Sequence, residues 1–143
     1  MIVNSDGAAR GNPGPAGIGA VVFGTDGRRL AEVAEGIGIA TNNVAEYRAA
    51  IEGLRQASAL GATDVLLRSD SKLLIEQLAG RFKVRNPRLA ELHAQVRELA
   101  GSFGSIRYEH VPRERNTEAD RLANAGVDRW LRSGAQTPTG SRP

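Results

Sequence analysis

Read for the spacing of its apolar positions, the chain divides into short strands and amphipathic helices in the order β-β-β-α-β-α-α-β-α. Residues 2–8 begin apolar and end in a polar stretch, a short strand that delivers Asp6 at its end. The segment RGNPGPAG, residues 10–17, holds three glycines and two prolines and reads as an irregular loop. Residues 18–24 form a strand of small residues, Thr25-Asp26-Gly27 a hairpin turn, and residues 28–39 the return strand. Three strands joined by short turns make an antiparallel meander. Val44, Tyr47, Ile51 and Leu54 then recur at helical spacing, predicting a helix from about Asn43 to Leu60 that stops at Gly61.

The run DVLLRS, residues 64–69, has the apolar character of a strand covered on both faces and leads to Asp70. Ser71 caps a short helix over 72–78, and Asn86-Pro87 opens another whose stripe is Leu89, Leu92, Val96 and Leu99. A last strand is expected at 105–111 and a basic turn at 112–115. A cap at Asn116 then starts a helix running to about Leu131. Residues 133–143, SGAQTPTGSRP, carry no apolar stripe and are expected to be a disordered tail or a linker. This order of elements argues for an α/β fold, a mixed sheet with helices on its faces, in a domain over residues 1–132.

Composition narrows the chemistry. A chain of 143 residues suits one domain with a full core. Without cysteine it has no disulfides, thiolate metal sites or cysteine nucleophiles, and two histidines, His93 and His110, are too few for a His-rich zinc site. No apolar run approaches the ~20 residues of a membrane helix, and no signal peptide is visible, so a cytoplasmic protein is expected. The formal net charge of +3 is a mild basic bias, compatible with a polyanionic partner, and the densest basic run is Arg81, Lys83, Arg85 and Arg88.

Candidate chemistry lies in four acids. Thr41, Asn42 and Asn43 carry side chains suited to the orphan N–H groups of a first helical turn. Glu46 therefore sits in that turn, off the apolar stripe, where the helix dipole favours a carboxylate. Asp6 and Asp70 end strands, and Asp120 lies on the last helix beside small residues. Taken singly, each has an ordinary reading: a turn residue, a dipole-favoured acid, a helix cap, a solvated helix acid. Sheet topology, however, brings strand ends to one edge, where open α/β sheets place ligands. Carboxylates sharing such a site repel unless neutralised. The fitting neutraliser for hard oxygen donors is Mg²⁺ or Mn²⁺, and two such ions about 3.5–4 Å apart suit in-line displacement at a phosphate.

The segments SDGAARGNPGPAG with Asp6, TNNVAEY with Glu46, LLRSDSK with Asp70 and VPRERNTEADRLAN with Asp120 resemble ribonuclease H type 1. Their order and spacing follow that family across residues 1–131 and most resemble its compact bacterial and archaeal branch, whose members sometimes carry a C-terminal phosphatase domain. The resemblance implies a ribonuclease H-like fold, with a five-stranded mixed sheet of three antiparallel and two parallel strands. It also implies metal-dependent cleavage of the RNA strand of an RNA–DNA hybrid, leaving 5′-phosphate and 3′-hydroxyl ends. Asp6, Glu46, Asp70 and Asp120 would hold two Mg²⁺ ions, with Mn²⁺ as a substitute, and Glu46 would lie near the RNA 2′-hydroxyl. Asn12, Thr41, Asn42 and Asn43 match backbone-contacting positions, chemistry that suits phosphate and 2′-OH recognition. Lys72 is a further expected substrate contact, and a monomer is expected.

Two departures stand out. Many relatives carry a catalytic histidine in the loop before the last helix, whereas this loop is Pro112-Arg113-Glu114-Arg115. Arg113 is the candidate for that place, though a permanent cation cannot act as a base, and His110 is expected to pack or hydrogen-bond. The basic protrusion of some relatives is also missing. Only GRFKVRNP joins the two middle helices, where Arg81, Lys83 and Arg85 alternate and face the DNA strand on this reading. Trp130 is read as core or cap. Besides the hybrid-specific endonuclease, two alternatives remain open: a nuclease of the same fold acting on another duplex such as double-stranded RNA, and a non-catalytic hybrid-binding module.

Overall fold

The computed structural model describes residues 1–134. Its elements are β1 (Ile2–Ala9), β2 (Gly14–Phe23), β3 (Arg29–Ala40), α1 (Asn42–Ala59), β4 (Asp64–Ser69), α2 (Lys72–Leu78), α3 (Pro87–Ala100), β5 (Ser105–His110) and α4 (Thr117–Arg132), with a single 3-10 turn at Arg113–Arg115 before α4. The strands form one sheet in the order β3-β2-β1-β4-β5. β1, β2 and β3 pair antiparallel, while β4 joins β1 and β5 joins β4 in parallel, which is the expected mixed sheet.

Alternation along the central strands assigns the two faces. Val3 and Val22 bury with Tyr47, Ala50, Leu54, Leu67 and Leu92 in the main core, which brings α1 and α3 to one face. α4 lies against the other. It approaches so closely that a Cβ on Gly19 would stand 2.2 Å from the Ala119 carbonyl oxygen. Only glycine at that point of β2 lets the helix carrying Asp120 rest on the sheet. Trp130, near the end of α4, packs against Gly36 of β3.

Local signals at the helix starts hold: Thr41 Oγ1 accepts from Val44 N at 3.2 Å, Ser71 Oγ from Leu74 N at 3.2 Å, and Asn86 Oδ1 from Arg88 N at 2.9 Å. Three expectations do not. β1 does not stop at Asp6 but runs on to Ala9, because Gly7, Ala8 and Ala9 stay paired with Ile18, Gly17 and Ala16 of β2. β2 begins at Gly14, not residue 18, because GPAG pairs with the neighbouring strands: Ala16 lies opposite Ala9, and Gly14 opposite Ala40. Asn116 makes no capping bond. Its side chain is buried instead and donates from Nδ2 to the Ser5 carbonyl at 2.9 Å, tying the start of α4 to β1. Of the tail expected at 133–143, Ser133 caps α4 and residues 135–143 lie outside the described part. Among the described residues, no helix is long and apolar enough to cross a membrane.

Candidate active site

Asp6 sits on β1 opposite Gly19, the residue against which α4 rests. Asp70 follows the last residue of the parallel neighbour β4. Glu46 projects from the first turns of α1, and its Oε1 accepts from Gly7 N at 2.7 Å. One carboxylate oxygen from each of Asp6, Glu46 and Asp70 lies within 4.8 Å of the others. Asp120 stands outside that tight group, its charge adding to those that raise Asp6, and all four acids line one cleft of about 510 Å³.

The electrostatics follow from crowding. Asp6 is only 5% exposed. Burial, followed by the charges of Glu46 and Asp70, pushes its carboxyl from 3.8 up to about 10. Burial also pushes Glu46 from 4.5 up to about 7, against the lowering effect of the Gly7 N–H. Such a cluster, all hard oxygen donors with no histidine or thiolate among them, fits a Mg²⁺- or Mn²⁺-class cation, whose charge would restore the ionised forms. Tyr47, beside Glu46, anchors α1 from within the core: its hydroxyl donates to Gln77 Oε1 of α2 at 2.6 Å.

The Asx-rich rim is knitted together. Asn12 Oδ1 accepts from Asn42 N at 3.0 Å, and Asn42 Oδ1 accepts from Ala9 N at 3.1 Å. Both amides thus hold the turn after β1 against the start of α1 with their oxygens and keep their NH₂ groups as donors. Asn42 lines the cleft, Asn43 is exposed beside it, and Thr41 is committed to capping. Arg113 lines the same cleft with Pro112 and Val111. His110 makes the expected hydrogen bond, to the Asp70 carbonyl at 3.2 Å, but it is exposed and borders the same cleft.

The other basic candidates lie elsewhere. Lys72 is exposed at the first residue of α2. Arg81 folds back on α2 and grips Glu76 with two bonds, Nε to Oε2 at 2.7 Å and Nη2 to Oε1 at 2.8 Å. Lys83 lines a separate cavity with Phe82, His93 and Tyr108, and Arg85 is exposed nearby. Sequence reasoning passed over Arg10 and Asn124, which also line the acidic cleft. The available signal for Asn124 was its four-residue spacing from Asp120.

A mixed sheet that brings together an acid from within β1 and one just past the end of its parallel neighbour β4, with a helix start on one side and a second helix on the other, defines a ribonuclease H-like architecture. The profile of the reverse-transcriptase-like family matches residues 4–126. The chain is 53% identical over 136 residues to the bifunctional protein Rv2228c of Mycobacterium tuberculosis, covering 94% of this chain and 37% of that one. It is 46% identical over 123 residues to the ribonuclease HI of Halobacterium salinarum, covering 86% of this chain and 62% of that protein. The chain thus spans under two thirds of the length of these curated relatives. Among solved structures, the N-terminal RNase H domain of Rv2228c superposes with a TM-score of 0.87 at 55% identity, covering 89% of this chain and 98% of that one. LC11-RNase H1, crystallised in complex with an RNA/DNA hybrid, also gives 0.87, at 40% identity, covering 91% and 98%. The chain belongs to the ribonuclease H type 1 family, in its compact bacterial and archaeal form.

Proposed function

We propose that residues 1–132 form a metal-dependent endoribonuclease that hydrolyses the RNA strand of RNA–DNA hybrids, leaving 5′-phosphate and 3′-hydroxyl ends. The observation that carries this reading is the trio of Asp6, Glu46 and Asp70 oxygens within 4.8 Å of one another, in a cleft that Asp120 completes. The hybrid complex of LC11-RNase H1 supports the substrate class.

On this reading Asp6, Glu46, Asp70 and Asp120 hold two divalent ions, Mg²⁺ or Mn²⁺ in its place. When bound, such ions activate water and offset charge at the phosphate. The protein's own groups do the rest. Asp6, buried on a rigid strand, fixes one corner of the donor set, and Asp70 fixes another one strand away. Glu46, tethered by Gly7, faces the minor-groove side, where a 2′-hydroxyl distinguishes RNA from DNA. The NH₂ groups of Asn12 and Asn42, with Asn43 and the Thr41-capped turn, donate to the backbone without reading bases. Arg113 supplies a fixed positive charge in the cleft for a phosphate oxygen. Lys72, Lys83 and Arg85 add non-specific phosphate contacts, and Arg81 adds less because Glu76 already holds it.

The test is a substrate panel with separately labelled strands: RNA–DNA hybrid, double-stranded RNA, single-stranded RNA and duplex DNA, each with Mg²⁺, Mn²⁺ or EDTA. Metal-dependent cutting of the hybrid's RNA strand alone is expected. Equal cutting of double-stranded RNA would widen the substrate class, and tight hybrid binding without cutting under either metal would overturn the assignment in favour of a binding module.

A further inference from the structure

Asp120, Asn124 and Asp128 follow one another at four-residue spacing, so they share one face of α4. Asn124 Nδ2 donates to Asp120 Oδ1 at 3.3 Å and to the Asp120 carbonyl at 3.0 Å. Asn124 Oδ1 accepts from Arg10 Nη2 at 3.2 Å, and the Asn124 carbonyl lies 3.4 Å from the same nitrogen. Arg10 Nη1 meets Asp128 Oδ1 at 2.7 Å. Arg10 lies just beyond β1, the strand that carries Asp6, so this relay joins β1 to the helix that carries Asp120.

The direction of the relay is dictated by donor chemistry. A guanidinium has donors only, so the Asn124 atom facing Arg10 must be the carbonyl oxygen. The NH₂ group is thereby turned toward Asp120. The flipped amide would set N–H against the guanidinium and a carbonyl oxygen against the carboxylate, two repulsive contacts in place of two attractive ones. Asp128 in turn holds the guanidinium.

We propose that Asn124 is the positioning residue for Asp120, with its amide oriented by Arg10, and that it governs how firmly the Asp120 side of the cleft holds a divalent cation. This rests on the functional reading above. Groups that hydrogen-bond a metal-ligating carboxylate fix its rotamer, and their loss typically costs about 10–100-fold in affinity or activity. The Asn124 amide is spent on Asp120 and Arg10, so its loss should fall on turnover and ion affinity far more than on substrate affinity.

The experiment measures Mg²⁺ and Mn²⁺ binding to the substrate-free protein by calorimetry, and kcat and KM on a hybrid, for wild type, Asn124→Ala, Arg10→Ala, Arg10→Lys, Asp120→Ala and the Asp120→Ala/Asn124→Ala double variant. Thermal melts check the fold of each. For Asn124→Ala the expected result is ion affinity and kcat both reduced about tenfold or more, with KM within about twofold and an unchanged melt. Arg10→Ala should follow it in part. Arg10→Lys, still a pure donor, should recover most of the loss. In the Asp120→Ala background the second change should have no further effect on ion affinity. Wild-type ion affinity and kcat in Asn124→Ala would overturn the proposal, as would a loss that merely tracks a lowered melt. If the wild type binds divalent ions but cuts no hybrid, the functional reading fails, and the ion-affinity arm still decides the role of Asn124.

Discussion

The Gly7 N–H donates to Glu46 Oε1 at 2.7 Å, and no side chain separates the two elements at that point. A Cβ on Gly7 would lie 2.3 Å from the Ala45 carbonyl carbon and 2.4 Å from Glu46 N. Gly7→Ala must therefore push the start of α1 away from β1 and carry Glu46 out of the cleft. The expected cost is about 1–3 kcal/mol or more in urea unfolding, with turnover falling in parallel. Wild-type stability in this variant would show that α1 does not need the close approach.

Asp6 and Glu46 both have folded-state pKa values raised above their ordinary ones. For acids shifted in that direction, the stabilising contribution is complete at low pH and is lost as pH rises through the folded values, here about 7 for Glu46 and about 10 for Asp6. Thermal melts in EDTA should therefore fall as pH climbs from about 5 to about 9. Asp6→Asn should flatten that fall and exceed wild type by on the order of 1–3 kcal/mol at the alkaline end, while abolishing cleavage. Added Mg²⁺ should restore the wild type selectively. A variant that melts in parallel with wild type at every pH would remove the charge-crowding argument.

Much of this site was legible in the chain because its parts are local: Asp70 just past the end of a strand, an Asx-rich helix start, a serine cap after Asp70. The parts that escaped depend on distant partners. Asn116 has the chemistry of a cap, yet the carbonyl of Ser5, far back on β1, claims its amide. GPAG has the composition of a loop, yet strands on both sides offer it a ladder. Arg81 alternates with Lys83 and Arg85 in sequence, but Glu76 is within reach across the end of α2 and takes it out of the row. Asn124 is marked in the chain only by its spacing from Asp120, and its bond to Arg10, just beyond β1, exists only in the fold.

Arg113 lines the cleft that holds the four acids. Arg113→Ala should lower kcat by about tenfold or more while KM changes little, as for loss of a charge that acts on the reacting phosphate. Steady-state kinetics on a hybrid check this. A rise in KM with unchanged kcat would make Arg113 a simple backbone contact.

The basic residues between α2 and α3 should separate in their salt dependence. Lys83→Ala is expected to reduce the slope of log K against log salt for hybrid binding by about one. Arg81→Ala should leave that slope nearly unchanged, since its guanidinium is already spent on Glu76. Fluorescence anisotropy across a salt series distinguishes them, and equal slopes for the two variants would refute the distinction.

On the proposed function, the acidic cluster cuts RNA in a hybrid. The most direct measurement is the single-turnover cleavage rate of an RNA–DNA hybrid in Mg²⁺ for wild type and Asp70→Asn, with hybrid affinity measured alongside. The rate should fall by about 10³-fold or more in the variant, as for loss of a group that acts with others as one unit, with affinity and melt preserved. Near-normal cleavage by a folded Asp70→Asn protein would contradict the assignment of these carboxylates to catalysis.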